Sequence, residues 1–156
     1  MASSTKPRAQ GGEPAAAFEF FNEIGIIGQL AGNRMERSLP HGLTRSQFSV
    51  LNWFVRVDDE ATPGRLARAF QVTAGAMTNT LGKLAGKGFV SIEPDPGSGR
   101  RKIVRLTPAG RRARDEAIAA TEPDLRAFLE RFPRQRLDRA LPLLRAVRAY
   151  LDAARA

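Results

Sequence analysis

Apolar residues recur at helical spacing along most of this chain. From Ala15 to Leu39, Phe20, Ile24, Ile27, Ala31 and Met35 make one stripe, and Phe18, Phe21, Gly25, Gly28 and Gly32 make a second. A helix that is apolar over most of its girth must be covered on several sides. Each glycine inside such a helix costs about 1 kcal/mol against alanine, so glycines at spacings of three and four point to close approach by another element, or to a groove left open. Pro40-His41-Gly42 reads as a turn. Thr44 and Gln47 then form a capping-box pattern for a helix running to about Val57, with Phe48, Leu51, Trp53 and Phe54 as its apolar mass. Asp58-Asp59-Glu60 ends it and reads as a solvated loop, because no histidine or further carboxylate is placed to complete a metal site.

The next pattern is shorter and more specific. Thr62 is a good N-cap and Pro63 falls where a helix needs no N–H donor. Leu66, Ala67 and Phe70 give this helix one buried side. After a break at Gln71-Val72, Thr73 caps a second helix whose Met77, Leu81 and Leu84 form an inward stripe. Its other face carries Ala74, Gly75, Thr78, Asn79 and Lys83, all small or hydrogen-bonding. Two helices joined this tightly, the second with a close-fitting polar face, predict a helix-turn-helix that enters the major groove of DNA. Gly86-Lys87-Gly88 supplies its C-terminal stop. Strand formers follow at 89–93 and 102–106, and between them Pro94-Asp95-Pro96-Gly97-Ser98-Gly99-Arg100-Arg101 reads as a turn tipped with arginines. A basic two-stranded wing suits the narrow minor groove. From Pro108 to about Phe132 the chain is helical again, with Pro123 expected to kink or restart the helix. A last helix opens at Pro133, carries Leu137, Leu141, Leu144, Val147 and Leu151 in stripe, and bends near Pro142. These terminal helices have no wing or basic cluster to support, and with the first helix they predict a dimer interface.

Gln47-Phe48-Ser49-Val50-Leu51, Leu66-Ala67, Val72-Thr73, Met77-Thr78, Leu84, Lys87-Gly88-Phe89-Val90, Asp95-Pro96, Arg100 and Leu106-Thr107-Pro108-Ala109-Gly110 together resemble the MarR-type winged-helix regulators, over roughly residues 18 to 150. One position departs: Ser98 stands where that family's wing usually carries an Asp two residues before the arginine matching Arg100, so the Asp–Arg pairing that would stiffen the wing is absent. The resemblance implies an intertwined homodimer of winged-helix lobes. It also implies effectors, often aromatic or phenolic anions, lodged between the dimer helices and the lobe. Phe18, Phe21, Arg34, His41 and Trp53 are the residues suited to line such a site.

The expected architecture is mainly α with a small β-wing: a tail over 1–14, a dimerisation helix over 15–43, a winged helix-turn-helix over 44–107, and dimerisation helices over 108–156. Charge sharpens the functional reading. Residues 62 to 112 hold ten Lys/Arg against only Glu93 and Asp95, which accounts for +8 of the formal net charge of +9. A generally basic surface would spread that excess; a concentrated field attracts a polyanion. Thr73, Gly75, Ala76, Thr78 and Asn79 are placed to approach bases, Asn79 with the amide that can pair bidentately with adenine. Arg65, Arg68 and Lys83 suit phosphates, and Arg100 with Arg101 the minor groove.

Enzymatic readings find nothing to stand on. There is no cysteine, one histidine beside a turn, no nucleophile elbow, no phosphate loop and no zinc-binding histidine pair. No catalytic residue, cofactor or metal is therefore expected. No apolar run is long enough to span a bilayer and the N-terminus lacks a signal-peptide core, so the expected location is the cytoplasm. The expectation is a sequence-specific regulator, a repressor, that binds double-stranded DNA as a homodimer and is released by a small aromatic effector. The alternative is a non-specific architectural, or protein-binding, winged-helix protein.

Overall fold

The structure is a computed structural model that describes residues 12–154. Most of the tail expected over residues 1–14 lies outside the described residues, and Glu13 and Pro14 already belong to the first helix. A proline in a first turn removes a donor that has no partner there, and Glu13 lies where the helix dipole favours a negative charge. Helix α1 (Glu13–Ser38) makes up a compact unit of its own, distinct from the unit that begins at Leu39. Among the described residues of its own unit there is no second element against which its Phe and Ile side chains could close.

The second unit runs α2 (Arg45–Arg56), β1 (Glu60–Ala61), α3 (Pro63–Phe70), α4 (Ala74–Gly86), β2 (Val90–Asp95), β3 (Ser98–Leu106), α5 (Pro108–Arg131) and α6 (Arg134–Ala153). Four threonines start four of its five helices by one device, α6 following Pro133 instead. The hydroxyls of Thr44, Thr62, Thr73 and Thr107 accept from the backbone N–H groups of Gln47, Arg65, Ala76 and Gly110 at 3.0–3.2 Å. The box at Thr44 is reciprocal, since its own N–H donates to Gln47 Oε1, and Gln47 is the buried polar side chain of the core. Gln71 ends α3 at φ +53°, and Gly88 follows α4 at φ +74°. At both ends an N–H reaches back five residues, from Val72 to Ala67 and from Phe89 to Leu84, which is the Schellman closure.

The core of the lobe gathers Leu43, Val50, Leu51 and Phe54 with Leu66 and Ala67, then Met77, Leu81 and Leu84, then Val90 and Val104, and is closed by Ala113 of α5. The sheet beside it is antiparallel in the order β1-β3-β2, with Ala61 opposite Val104 and Val90 opposite Leu106.

Three expectations need correction. The acidic run is not wholly a loop: Glu60 and Ala61 form β1, because β3 offers a free edge and Ala61 is buried. The wing ribbon is longer than the strand formers suggested. Pro94 remains in β2, which is tolerable on an edge strand, and the turn closes at Pro96-Gly97, where Asp95 Oδ1 accepts from Gly97 N–H at 2.9 Å. Arg100 and Arg101 therefore lie on β3 and not in a turn. Finally, the restart expected as one outcome at Pro123 does not occur: α5 runs unbroken from Pro108 to Arg131, and α6 likewise runs through Pro142. A proline deletes one hydrogen bond of a long ladder, and the turns on either side hold the helix together.

Candidate nucleic-acid interface

Helix α4 owes its orientation to three side chains. Met77, Leu81 and Leu84 are buried, and their burial turns the opposite surface outward. Thr73, Ala74, Gly75, Ala76, Thr78, Asn79, Gly82 and Lys83 are all exposed. A methyl group added at Gly75 or Gly82 would meet nothing within 4 Å. The polar face read from the sequence is thus one continuous solvent-facing surface, low in relief and edged by Lys83.

The flanking cations fall into two groups. On the wing, Arg100 and Arg101 are exposed on consecutive positions of β3. Both fall at the register shift between Pro94 and Asp95, where neither is paired with a residue across the ribbon. Lower on the same strand, Arg105 is committed elsewhere: its guanidinium bridges Glu60 on β1 at 2.8 Å and Glu93 on β2 at 3.4 Å. That triad ties the three strands at the base of the wing, in a chain whose tip carries Ser98 in place of an acid. On α3, Arg65 and Arg68 are both exposed. Arg65 Nη1 donates to Asp58 Oδ2 at 2.5 Å, and its Cζ lies 5.0 Å from the centre of the Trp53 ring. This partner holds the Asp58 carboxyl below the usual carboxylate range, aided by the Glu60 backbone N–H.

Sequence reasoning gave no role to the first turns of α2, yet the structure brings them to the recognition helix. A groove of about 220 Å³ is lined by Arg45, Ser46, Ser49 and Val50 of α2, by Phe70 and Val72 at the end of α3, and by Ala76, Met77 and Thr80 of α4. The available signal was the capping box itself: once Gln47, Phe48 and Leu51 face inward, Arg45, Ser46 and Ser49 face out.

The five residues expected to line an effector site are distributed as follows. Phe18, Phe21 and Arg34 lie on α1, where Phe21 meets Phe20 edge to face at 5.8 Å. His41 sits in the turn before α2 at φ +60°. Its ring stands edge-on to Phe89, its Nε2 contacts the Glu116 carboxylate, and its carbonyl accepts from Lys87 Nζ at 2.6 Å. Trp53, on α2, packs edge to face with Phe54 beneath the Arg65 guanidinium. None of the five lines the 220 Å³ groove. Among the described residues no cluster of three metal-ligating side chains occurs, and no helix is long and apolar enough to cross a membrane.

Helix α5 is joined to the end of α4 by a tight contact. Thr107 Oγ1 donates to the Gly88 carbonyl at 2.6 Å, and Thr107 N–H donates to the Phe89 carbonyl at 3.1 Å. A Cβ at Gly110 would stand 2.0 Å from the Phe89 carbonyl oxygen, which explains physically why the Leu-Thr-x-x-Gly pattern ends in glycine. Farther along α5, Arg114 donates twice to Asn52 Oδ1 and ties α5 to α2.

Comparison with known proteins agrees with this geometry. A sequence model described as the MarR family matches residues 41–101, the span from the His41 turn to the wing. The multiple antibiotic resistance protein MarR of Salmonella typhimurium is 34% identical over 100 residues, covering 59% of this chain and 69% of that protein. Among solved structures, a mutant MarR from Escherichia coli complexed with operator DNA superposes with a TM-score of 0.61 at 29% identity, over 81% of this chain and 96% of that one. The regulator BldR from Sulfolobus solfataricus shares the fold, with a TM-score of 0.76 at 23% identity over 92% of this chain and 99% of that one. With its wing, its helix-turn-helix and this degree of identity, the chain belongs to the MarR family of winged-helix transcriptional regulators.

Proposed function

We propose that this protein is a cytoplasmic, sequence-specific DNA-binding repressor that acts as a homodimer on a pseudo-palindromic operator. The observation that carries the reading is the outward face of α4, small and hydrogen-bonding from Thr73 to Lys83 and flanked by the arginines of α3 and β3. Thr73, Gly75, Ala76, Thr78 and Asn79 would meet base edges, Lys83, Arg65 and Arg68 the phosphates, and Arg100 with Arg101 the minor groove. That the similar E. coli MarR has been solved with operator DNA supports the same use of this surface. The dimer would be built from residues 15–43 and 108–156. Its support is the run of exposed apolar side chains Leu125, Phe128, Leu129 and Phe132 on α5 and Leu141, Leu144 and Leu151 on α6. Two recognition helices related by a two-fold axis would read half-sites about ten base pairs apart. Release by a small aromatic or phenolic effector, contacting Phe18, Phe21, Arg34, His41 and Trp53, completes the proposal.

Selection of bound sequences from a random duplex pool tests it, with the winner and a scrambled duplex titrated at one stated salt concentration. A short palindromic winner preferred by about a thousandfold or more is the expected result. Salt-dependent binding without preference would replace the regulator with an architectural protein. Asn79→Ala should relax the preference at one base position only, and an unchanged selection profile would move the reading face away from Asn79.

A further inference from the structure

Arg65 is held from two sides. Asp58, in the turn before β1, accepts from its Nη1 at 2.5 Å, and the Trp53 ring lies 5.0 Å from its Cζ. Neither side chain of the ion pair is buried: Arg65 is 45% exposed and Asp58 36%. Of its neighbours in the acidic run, Glu60 pairs with Arg105, and Asp59 is fixed through its backbone, its carbonyl accepting from Leu106 N–H, while the Arg65 guanidinium donates to Asp58. Asp58 is therefore the carboxylate that decides where the Arg65 guanidinium rests. A guanidinium presents the same planar fork to a carboxylate and to a phosphate. An exposed ion pair is weak, so exchanging one oxyanion partner for the other costs little.

We propose that Asp58 sets the DNA affinity of this regulator by competing with a backbone phosphate for Arg65. In free protein Arg65 rests on Asp58 and Trp53; on DNA it leaves Asp58 for the phosphate. The inference rests on the DNA-binding reading above and adds to it an internal competitor. Asp58 is a positioning residue here, since it acts only through Arg65.

The test uses the full chain and a short random-sequence duplex, because phosphate contacts do not depend on sequence. Asp58→Asn removes the charge and keeps the oxygen that accepts from Glu60 N–H at 3.4 Å. It should tighten binding about threefold to tenfold, and steepen the slope of log affinity against log salt by nearly one unit, because Arg65 then releases a counterion without an acid left behind. Arg65→Ala should abolish that gain, so that the double variant binds like Arg65→Ala alone. Asp59→Asn deletes the same charge one residue away and should show a distinctly smaller gain. Trp53 is the sole tryptophan, so its emission should shift on DNA binding in the wild type and not in Arg65→Ala. Unchanged affinity and slope in Asp58→Asn would overturn the inference, as would an equal gain in Asp59→Asn or in the double variant. Failure of the wild type itself to bind any duplex would instead overturn the DNA-binding reading, and this inference with it.

Discussion

The winged lobe and the two C-terminal helices are built from similar apolar residues and treat them in opposite ways. From Leu43 to Ala117 the large side chains, Val57 and Val72 apart, close on one another, and Leu51, Leu66, Leu84 and Val104 are fully buried. From Ile118 onward none is buried: Leu125, Phe128, Leu129 and Phe132 on α5, and Leu141, Leu143, Leu144, Tyr150 and Leu151 on α6, all face solvent. The difference is one of layers. The lobe packs three helices, the first turns of α5 and a sheet around a single centre, whereas two helices alone have no second layer to close over their stripes. The lesson is that the lobe meets its packing needs within one chain and α5–α6 do not. This exposed apolar surface is the support for the homodimer proposed above.

That contrast can be broken at its strongest point. Gly110→Ala should cost the lobe about 3 kcal/mol or more, because the new methyl cannot coexist with the Phe89 carbonyl 2.0 Å away or with Leu106 Cδ1 at 2.8 Å. Urea denaturation measures it, and a loss under about 1 kcal/mol would show that α5 slides away from β2 at little cost. Next in size is the opposite region. Phe128→Asp together with Leu144→Asp should weaken self-association about a hundredfold or more while leaving the folded lobe intact. Sedimentation would then show a monomer with an unchanged urea midpoint, and a persisting dimer would remove this face from the interface.

Smaller effects sharpen the comparison within the lobe. Arg100→Ala should lower DNA affinity for every sequence alike and reduce the salt slope by about one unit, with stability changed by no more than about 0.5 kcal/mol. A sequence-dependent loss would mean that Arg100 reads bases. The smallest effect is on acid stability. Asp58 has its pKa lowered by Arg65, so its contribution is fully present above the usual carboxylate range and is lost as pH falls through and below that range. Wild type and Asp58→Asn should therefore differ slightly in urea midpoint near neutrality, and the gap should close as pH falls below the usual carboxylate range. A gap that widens toward acid would reverse the sign of this pair.

Much of this was legible from residue pattern alone, because the decisive signals are local. Threonine caps, the break at Gln71-Val72 and the Met77-Leu81-Leu84 stripe each act within a few residues, and the structure places all of them as expected. What could not be read depends on distant partners. Strand β1 exists only because β3 lies beside it, and two residues carry no period of their own. The wing strands outran their apolar formers because pairing along the ribbon sets Pro94 opposite Lys102 and Asp95 opposite Ser98, which carries Arg100 and Arg101 into β3. Pro123 read as an interruption because the cost of a proline is local, whereas the cohesion of a 24-residue helix is not. Of the surface chemistry, the exposure of Thr78, Asn79 and Lys83 followed from periodicity. The embrace of Arg65 by Asp58 and Trp53 did not, since it joins α2, a turn and α3 in space.

The contact at Gly110 also has a mechanical side. Helix α5 is about 36 Å long at the usual rise per residue. Its N-terminal part is anchored, by Thr107 to the Gly88 and Phe89 carbonyls, by Gly110 against the Phe89 backbone, by Arg114 to Asn52 and by Glu116 to His41. With no side chain at Gly110, the first turn of α5 lies directly against the Phe89 backbone, next to the residues that finish α4. The start of α5 and the end of the recognition helix thus share one backbone contact, and neither can shift there without the other being re-spaced.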